Sequence, residues 1–449
     1  MNQRLSFMTF SERRGCVIMK VLWLCNIMLP KISEHLGQKP NIFGGWLTGL
    51  LNGLLTHKEV ELSLCFPVTN RDIVITGETE GLKYYSFYCD GQAHKYSQKQ
   101  ENEFINILKQ VNPDVVHIFG TEYPHALAMV NACEDLQTLD KVIVNIQGLA
   151  TLCAKHYYAS LPYRIVNSFT IRDIIKRDNI KQQKKKFEMR GKYEIKALQK
   201  VKHIIGRTDW DEAYTSQVNP KAKYHFCNEI LRDSFYSSTS WRFENCEENS
   251  IFLSQANYPI KGFHYVLEAM AEIIKKHPKT HAYIAGDNVF QPKSVEQKLR
   301  MSAYHRYISK LVQRYNLQNN ITFLGALDEF QMCERFLKSH IFVSPSAIEN
   351  SPNSLGEAMI LGLPCVASDV GGVKNMITND VEGFVYQHDA PYMLAHYICK
   401  LFEDNELARK NSKNARTHAL KTHSRERNVN ELLEIYKEII RMDVLSVNR

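Results

Sequence analysis

The feature that most constrains this chain is an alternation of short apolar runs with longer helical patterns, which occurs twice. VIMKVLWLCN, ELSLCFPV, VVHIF, KVIVNIQG and HIIGRTD make a first series. IFLSQ, HAYIAGD, ITFLG, HIFVSPS, PCVASD and GFVY make a second. Runs this short and this apolar suit strands buried on both faces, and the stretches between them suit crossover helices. The pattern predicts an α/β chain of two doubly wound, Rossmann-like domains facing each other across a cleft. Its length of 449 residues is ample for two cores. In such sheets ligands bind beyond the carboxyl ends of the strands, so the residues that follow each run carry the functional information.

The first domain is expected over residues 19–220, opening on the strand at Met19 and continuing into a helix from about Gly45 to Leu55. Residues 1–18 lack the long apolar core of a secretory signal and read as a disordered extension. After Trp210 the pattern loosens into a polar, Ser- and Asn-rich stretch that reads as the interdomain link, with the second domain over 221–424. NVNELLEIYKEII has apolar residues at helical spacing, and a helix over 425–445 is expected to complete the first domain. No apolar run approaches the roughly 20 residues that span a bilayer. Eleven cysteines without a CxxC pair or an export signal point to free thiols in a cytoplasmic protein.

The net charge of +8 is concentrated. Residues 172–202 hold twelve Lys/Arg against four acids, interleaved with Ile174, Ile175, Ile180, Phe187 and Leu198. Basic amphipathic helices of this kind suit an anionic membrane face or a pyrophosphate-linked acceptor. The plainer reading is a solvated face beside a core stripe. No basic motif interleaved with aromatics accompanies it, so nucleic acid is not an expected partner.

The most informative stretch is HIFVSPSAIENSPNSLGEAMILGLPCVASDVGG, residues 340–372. A strand ends at Ser344, a loop carries Glu349, and a helix begins near Asn353 and stops at Gly362 with Pro364 beyond. Free N–H groups at Asn353, Ser354 and Leu355 suit a diphosphate at the helix N-terminus. Glu357 in the first turns suits a ribose diol through charge-assisted hydrogen bonds, and Glu349 suits the sugar. Ser354 and Glu357 also fit an S-x-x-E capping box, a purely structural role. Glu349 has its own plain reading as a solvated loop acid.

This stretch resembles the family 4 glycosyltransferases, retaining enzymes of GT-B fold whose signature is two glutamates separated by seven residues. Glu349 and Glu357 occupy those two places, which implies contact of the first with the transferred sugar and of the second with the ribose. Pro259-Ile260-Lys261-Gly262 resembles the family's Lys-Gly element, whose lysine neutralises charge on the leaving phosphate. An ordinary surface lysine before a helix is the alternative. The family's arginine five residues earlier is replaced here by Ala256. ITFLGAL resembles the base-binding strand and turn, making Leu324, Gly325 and Ala326 candidates. Asn41-Ile42-Phe43-Gly44-Gly45-Trp46 resembles the glycine-rich first loop, where Gly44 and Gly45 let backbone approach the donor; a tight turn reads the same way.

On the acceptor side, His125 in the loop after VVHIF is the preferred polar residue for catalysis, with a structural histidine as the alternative. Gln147, after the next strand, suits a neutral hydrogen bond, and Arg207 suits the cleft wall. Together these imply a retaining glycosyltransferase moving a hexose-type sugar from a UDP or GDP sugar to a glycan or lipid-linked acceptor in cell-surface polysaccharide synthesis, at the cytoplasmic face of the inner membrane. No cofactor and no metal are expected, since no DxD-type motif stands out. A sugar-nucleotide epimerase of the same fold and a non-catalytic nucleotide-sugar-binding protein are the competing readings.

Overall fold

A computed structural model describes residues 18–39, 44–70, 74–91, 94–288, 292 and 294–447. The extension expected over residues 1–18, apart from Ile18, and the residues Asn41, Ile42 and Phe43 lie outside the described set. The first sheet takes β1 (Met19–Leu24), β2 (Val60–Val68), β3 (Thr76–Thr79), β4 (Leu82–Tyr88), β5 (Val115–Phe119), β6 (Val142–Asn145), β7 (His203–Gly206) and β8 (Lys223–Phe226). Their spatial order is β3-β4-β2-β1-β5-β6-β7-β8, and only the β3–β4 pair is antiparallel. The second sheet takes β9 (Glu247–Leu253), β10 (His281–Ile284), β11 (Ile321–Phe323), β12 (Ser339–Ser344), β13 (Cys365–Ser368) and β14 (Gly383–Tyr386). Its order is β11-β10-β9-β12-β13-β14, parallel throughout.

The alternation of side chains along β1 explains why its run is apolar without a break. Val21 and Trp23 enter a core on one face of the sheet, while Leu22 and Leu24 enter a core on the other. The helix Arg425–Val447 returns from the end of the chain to cover the first of these faces, placing Val429, Leu432, Leu433 and Tyr436 against Leu50, Leu51 and Leu54. The Tyr436 hydroxyl accepts from Trp23 Nε1 at 3.0 Å and lies 2.6 Å from His117 Nδ1, so this buried cluster ties the terminal helix to β1 and β5. A third core surrounds the second sheet.

Two parts of this sheet differ from expectation. β8 lies in the stretch read as the interdomain link, yet pairs in parallel with β7, so the first sheet reaches Phe226 and not residue 220. Its pattern is obscured because it is an outer strand with only His225 buried. The β3–β4 hairpin was also unforeseen; Glu80 and Gly81, both at positive φ, form its two-residue turn.

Strand order reverses between β1 and β5 in the first sheet and between β9 and β12 in the second. These are the points where an open α/β sheet leaves a crevice beyond its strand ends. The loops after β9 and β12 therefore occupy the ligand-binding position of the second domain.

Candidate functional site

The loop after β9 ends in a short turn, Pro259–Lys261, followed by Gly262 at φ +70° and the helix Phe263–Lys276. A Cβ on Gly262 would lie 1.8 Å from the Pro345 carbonyl oxygen, so glycine is what lets the β9 and β12 loops touch backbone to backbone. The same constraint acts on the other side of the β12 loop. Gly371, at φ +53°, would place a Cβ 1.8 Å from the carbonyl oxygen of Glu349. These two contacts fix the loop that presents Glu349.

Lys261 Nζ and Glu349 Oε1 are 2.5 Å apart, and Ser346 Oγ donates to the same carboxylate oxygen at 2.7 Å. Burial works against the Lys261 ammonium, but Glu349 outweighs it and holds the lysine above its ordinary pKa. The cation is permanent. Neither side chain is sealed off: Lys261 is 20% exposed and Glu349 16%, both towards a cavity.

That cavity, about 730 Å³, is lined by both halves of the molecule. Its C-terminal wall includes the helix Asn353–Leu361, which starts after Pro352 with no side-chain cap. The capping box that was the structural alternative for Glu357 is not formed, because the N-cap is Pro352 and Glu357 turns to Arg232. Its two oxygens accept from Arg232 Nε at 2.6 Å and Nη2 at 2.7 Å, a bidentate pair. Burial raises the Glu357 pKa against the opposing guanidinium, while Glu357 lifts Arg232 above its ordinary value against burial. Each carboxylate oxygen keeps a lone pair beyond the one that Arg232 uses. At the helix start, Asn353 Oδ1 is buried without a hydrogen-bond partner among the described residues.

The N-terminal wall carries Gly44, Gly45, Gln147 and Arg207. Arg207 pairs with Glu229 at 2.8 Å and donates to the Ile146 carbonyl at 3.0 Å, and Gln147 Nε2 donates to Glu229 at 2.7 Å. Gly45 leaves room for Arg232, whose Cγ would lie 2.3 Å from a Cβ there. The halves also touch directly beside the site. Thr208 Oγ1 donates to Asn350 Oδ1 at 2.7 Å, and Asn350 Nδ2 donates to Asp211 at 2.9 Å.

Of the residues singled out by sequence, Glu349, Lys261, Glu357, Asn353, Ser354, Gly44, Gly45, Gln147, Arg207 and Ala326 line this one cavity. Four do not. His125 is buried, because Pro124 starts a helix (Pro124–Asp135) and turns the imidazole inward. There its Nε2 lies 2.7 Å from Asn26 Oδ1 and its ring packs on Phe87 and Tyr123. Burial, with a smaller contribution from Arg190, depresses its pKa to about 3, so the ring is neutral and packed rather than placed to serve the cavity. Leu355 points into the core of the second domain, and its N–H is taken by the Pro352 carbonyl. Leu324 and Gly325 sit behind the lining, where Gly325 bridges to Gly286; Ala326 and Leu327 reach the cavity instead.

Sequence reading missed Arg232 and Glu229, which fall in the stretch taken for a linker and carry no local signal. Ser346 lies within the 340–372 stretch, and only its hydrogen bond to Glu349 gives it a role. Ala256 is buried in the second core, so the cation that the resemblance places there is not supplied from that position. Among the described residues, the cations lining the cavity are Lys261, Arg207 and Arg232.

Residues 239–418 match the family described as Glycosyl transferases group 1. A putative glycosyltransferase of Bacillus subtilis, YtcC, is 30% identical over 162 residues, covering 36% of this chain and 38% of its own length. The alpha-D-kanosaminyltransferase of Streptomyces kanamyceticus is 26% identical over 179 residues, covering 40% of this chain and 43% of its own. The matched region thus spans less than half of either relative. Among solved structures, sucrose-phosphate synthase from Thermosynechococcus elongatus superposes with a TM-score of 0.68 at 16% identity, covering 94% of this chain and all of that one. Anabaena Alr3699/HepE in complex with UDP superposes with a TM-score of 0.63 at 14% identity over 94% of this chain and all of its own. The fold is GT-B: two Rossmann-like domains with the cavity between them.

Proposed function

We propose that this chain, whose residues 239–418 form a group 1 glycosyl transferase domain, transfers a hexose-type sugar from a nucleoside-diphosphate sugar to a glycan or lipid-linked acceptor. One observation carries this reading. A permanent cation, a carboxylate held beside it, an uncapped helix N-terminus and a second carboxylate all face a single interdomain cavity. That set matches the parts of one ligand in order: sugar, diphosphate and ribose. The named relatives are glycosyltransferases, and the Anabaena neighbour binds UDP.

In the reaction we propose, the bond between the anomeric carbon and the diphosphate oxygen breaks as the acceptor oxygen bonds to that carbon on the same face. The acceptor proton passes to the departing phosphate, and configuration is retained. Lys261 and the N–H groups of Asn353 and Ser354 meet the charge that develops on the diphosphate, while Glu349 orients the sugar. Charge neutralisation by these groups makes the reaction independent of added metal, so a chelator should leave the rate unchanged.

Glu357→Gln tests the ribose contact. Glu357→Ala is the poorer choice, because it strands Arg232 and breaking a buried pair of this type costs about 3–5 kcal/mol. Glu357→Gln should weaken calorimetric binding of the matching nucleoside diphosphate by at least about tenfold, since hydrogen bonds to charged groups contribute about 1.5–3 kcal/mol. Unchanged affinity together with a lowered melting temperature would reduce Glu357 to a structural partner of Arg232.

A further inference from the structure

Between Tyr163 and Ile175 the chain exposes a run of large apolar side chains. Tyr163 is 84% exposed, Phe169 63%, Ile171 58%, Ile174 59% and Ile175 76%. Local geometry causes this. Thr170 and Asp173 form a capping box on the helix Ile171–Lys176, and Asp173 is turned inward, where it also accepts the Ala303 N–H at 2.9 Å. With residue 173 facing in, helical periodicity turns 171, 174 and 175 outward. The apolar side of the following helix, Ile180–Lys200, is spoken for: Ile180 and Leu198 are buried. The apolar part of the basic region is therefore this short helix and the loop before it, rather than the long basic helix.

Cations surround the apolar tip. Arg164, Lys176, Arg177, Lys181 and Lys185 are exposed, and none of them forms an ion pair among the described residues. The acids of the segment are otherwise engaged: Asp173 and Asp178 pair with Arg172, and Glu188 with Lys184. Next to the tip lies a groove of about 570 Å³ whose lining includes Lys95, Lys176, Arg177, Lys186 and Arg190 and, among the described residues, no carboxylate.

We propose that residues 163–190 dock the protein on an anionic lipid bilayer, with Tyr163, Phe169, Ile171, Ile174 and Ile175 entering the headgroup region and the cations of the groove holding lipid phosphates. An exposed apolar run flanked along the chain by unpaired cations complements a negatively charged interface, which offers phosphates in a plane above hydrocarbon. A protein partner would have to supply both an apolar hollow and a surrounding acidic rim. The attachment is peripheral, as no helix among the described residues is long and apolar enough to cross a membrane. It also bears on the cavity. Arg190 donates to the Glu122 carbonyl, and the Glu122 carboxylate accepts the Gly148 N–H at 2.8 Å, next to Gln147 of the cavity wall. The docking face is thus continuous with the N-terminal side of the cleft. This inference does not depend on the transferase reading.

Co-sedimentation of the full chain with phosphatidylcholine vesicles, with and without phosphatidylglycerol, tests it. Binding is expected to the phosphatidylglycerol vesicles and to fall as salt rises. Ile174→Ser/Ile175→Ser should weaken it at least about tenfold, given the apolar area withdrawn from the interface. Lys176→Gln/Arg177→Gln should weaken it about fivefold per charge. Both pairs lie outside the cavity lining, so melting temperature and nucleotide binding should match those of the wild type. Failure of the wild type to sediment with anionic vesicles overturns the proposal, as does equal sedimentation of the wild type and both variants. Binding that only the charge variant loses overturns it too, since that is attraction without insertion.

Discussion

Lys261→Met is expected to lower the rate of sugar transfer by about 10²–10³-fold, the loss typical of removing one group that stabilises developing negative charge. The methionine matches the lysine stem as far as Cε, with sulfur in place of Cδ, and lacks the ammonium. What it withdraws is a cation that the fold goes to some length to fix. Gly262 allows the β9 loop to press on Pro345, and Glu349 at 2.5 Å keeps the lysine charged in spite of burial. Because the diphosphate gains charge as it departs, the loss should fall mainly on kcat, with a smaller change in KM. Lys261→Arg, which restores charge without the same geometry, should recover part of the rate. Glu349 retains the Ser346 hydroxyl at 2.7 Å in the methionine variant, and both members of the pair are partly exposed. The stability cost should therefore lie below the roughly 3–5 kcal/mol of a fully buried broken pair. Steady-state kinetics beside a thermal melt separate the two effects. A kcat unchanged in a folded variant would remove Lys261 from the chemistry.

Acidification is the second large effect. Burial depresses His117 and His125 to about 3, and His264, His340 and His423 to about 4, from an ordinary value of 6.5. A histidine held neutral in the folded state gives up no stability above 6.5. Below that the unfolded chain takes up the proton and the folded chain does not, so stability is lost as pH falls towards the folded value. One pH unit of displacement is worth about 1.4 kcal/mol, which makes each of these residues worth about 3–5 kcal/mol at the end of the range. Glu194 acts in the opposite sense: burial raises it to about 7, against hydrogen bonds from Thr151 and Ala150, so its contribution grows as pH falls towards 4.5. Glu122 and Glu357, also raised by burial, act in the same sense as Glu194. The histidines together are of the order of the roughly 5–15 kcal/mol by which domains are ordinarily stable, so a net loss of stability is expected as pH falls from about 6 to 4. Circular dichroism melts between pH 7.5 and pH 4 check this; a melting temperature that stays flat across that range contradicts it. His264→Gln, which keeps a donor for the Ala159 carbonyl, should lessen the slope.

Most of the architecture was legible because parallel strands buried on both faces leave an unbroken apolar trace. VLWL and VVHIF could hardly be anything else, and the residues after IFLSQ and HIFVSPS proved to flank the reversal of strand order. The cavity residues followed, since Lys261, Glu349 and Glu357 are tied to those strands by a few residues of loop. What escaped was set by tertiary contact. β8 is an outer strand with one buried residue, so its trace is faint. Arg232 owes its place to Glu357, 125 residues further on, and to the space above Gly45, neither of which leaves a local mark. His125 misled for a related reason: a polar residue after a strand reads as a cleft residue, and only the inward turn at Pro124 and the ring of Phe87 show that it is packed.

The central claim is that the uncapped start of the helix Asn353–Leu361, with Lys261 opposite, holds the diphosphate of an activated sugar. A crystal structure with a bound UDP or GDP sugar tests it most directly. The diphosphate is expected within hydrogen-bonding distance of the Asn353 and Ser354 amides and of Lys261 Nζ, with the ribose on Glu357. A nucleotide ordered elsewhere on the molecule, with this cavity empty, would contradict it.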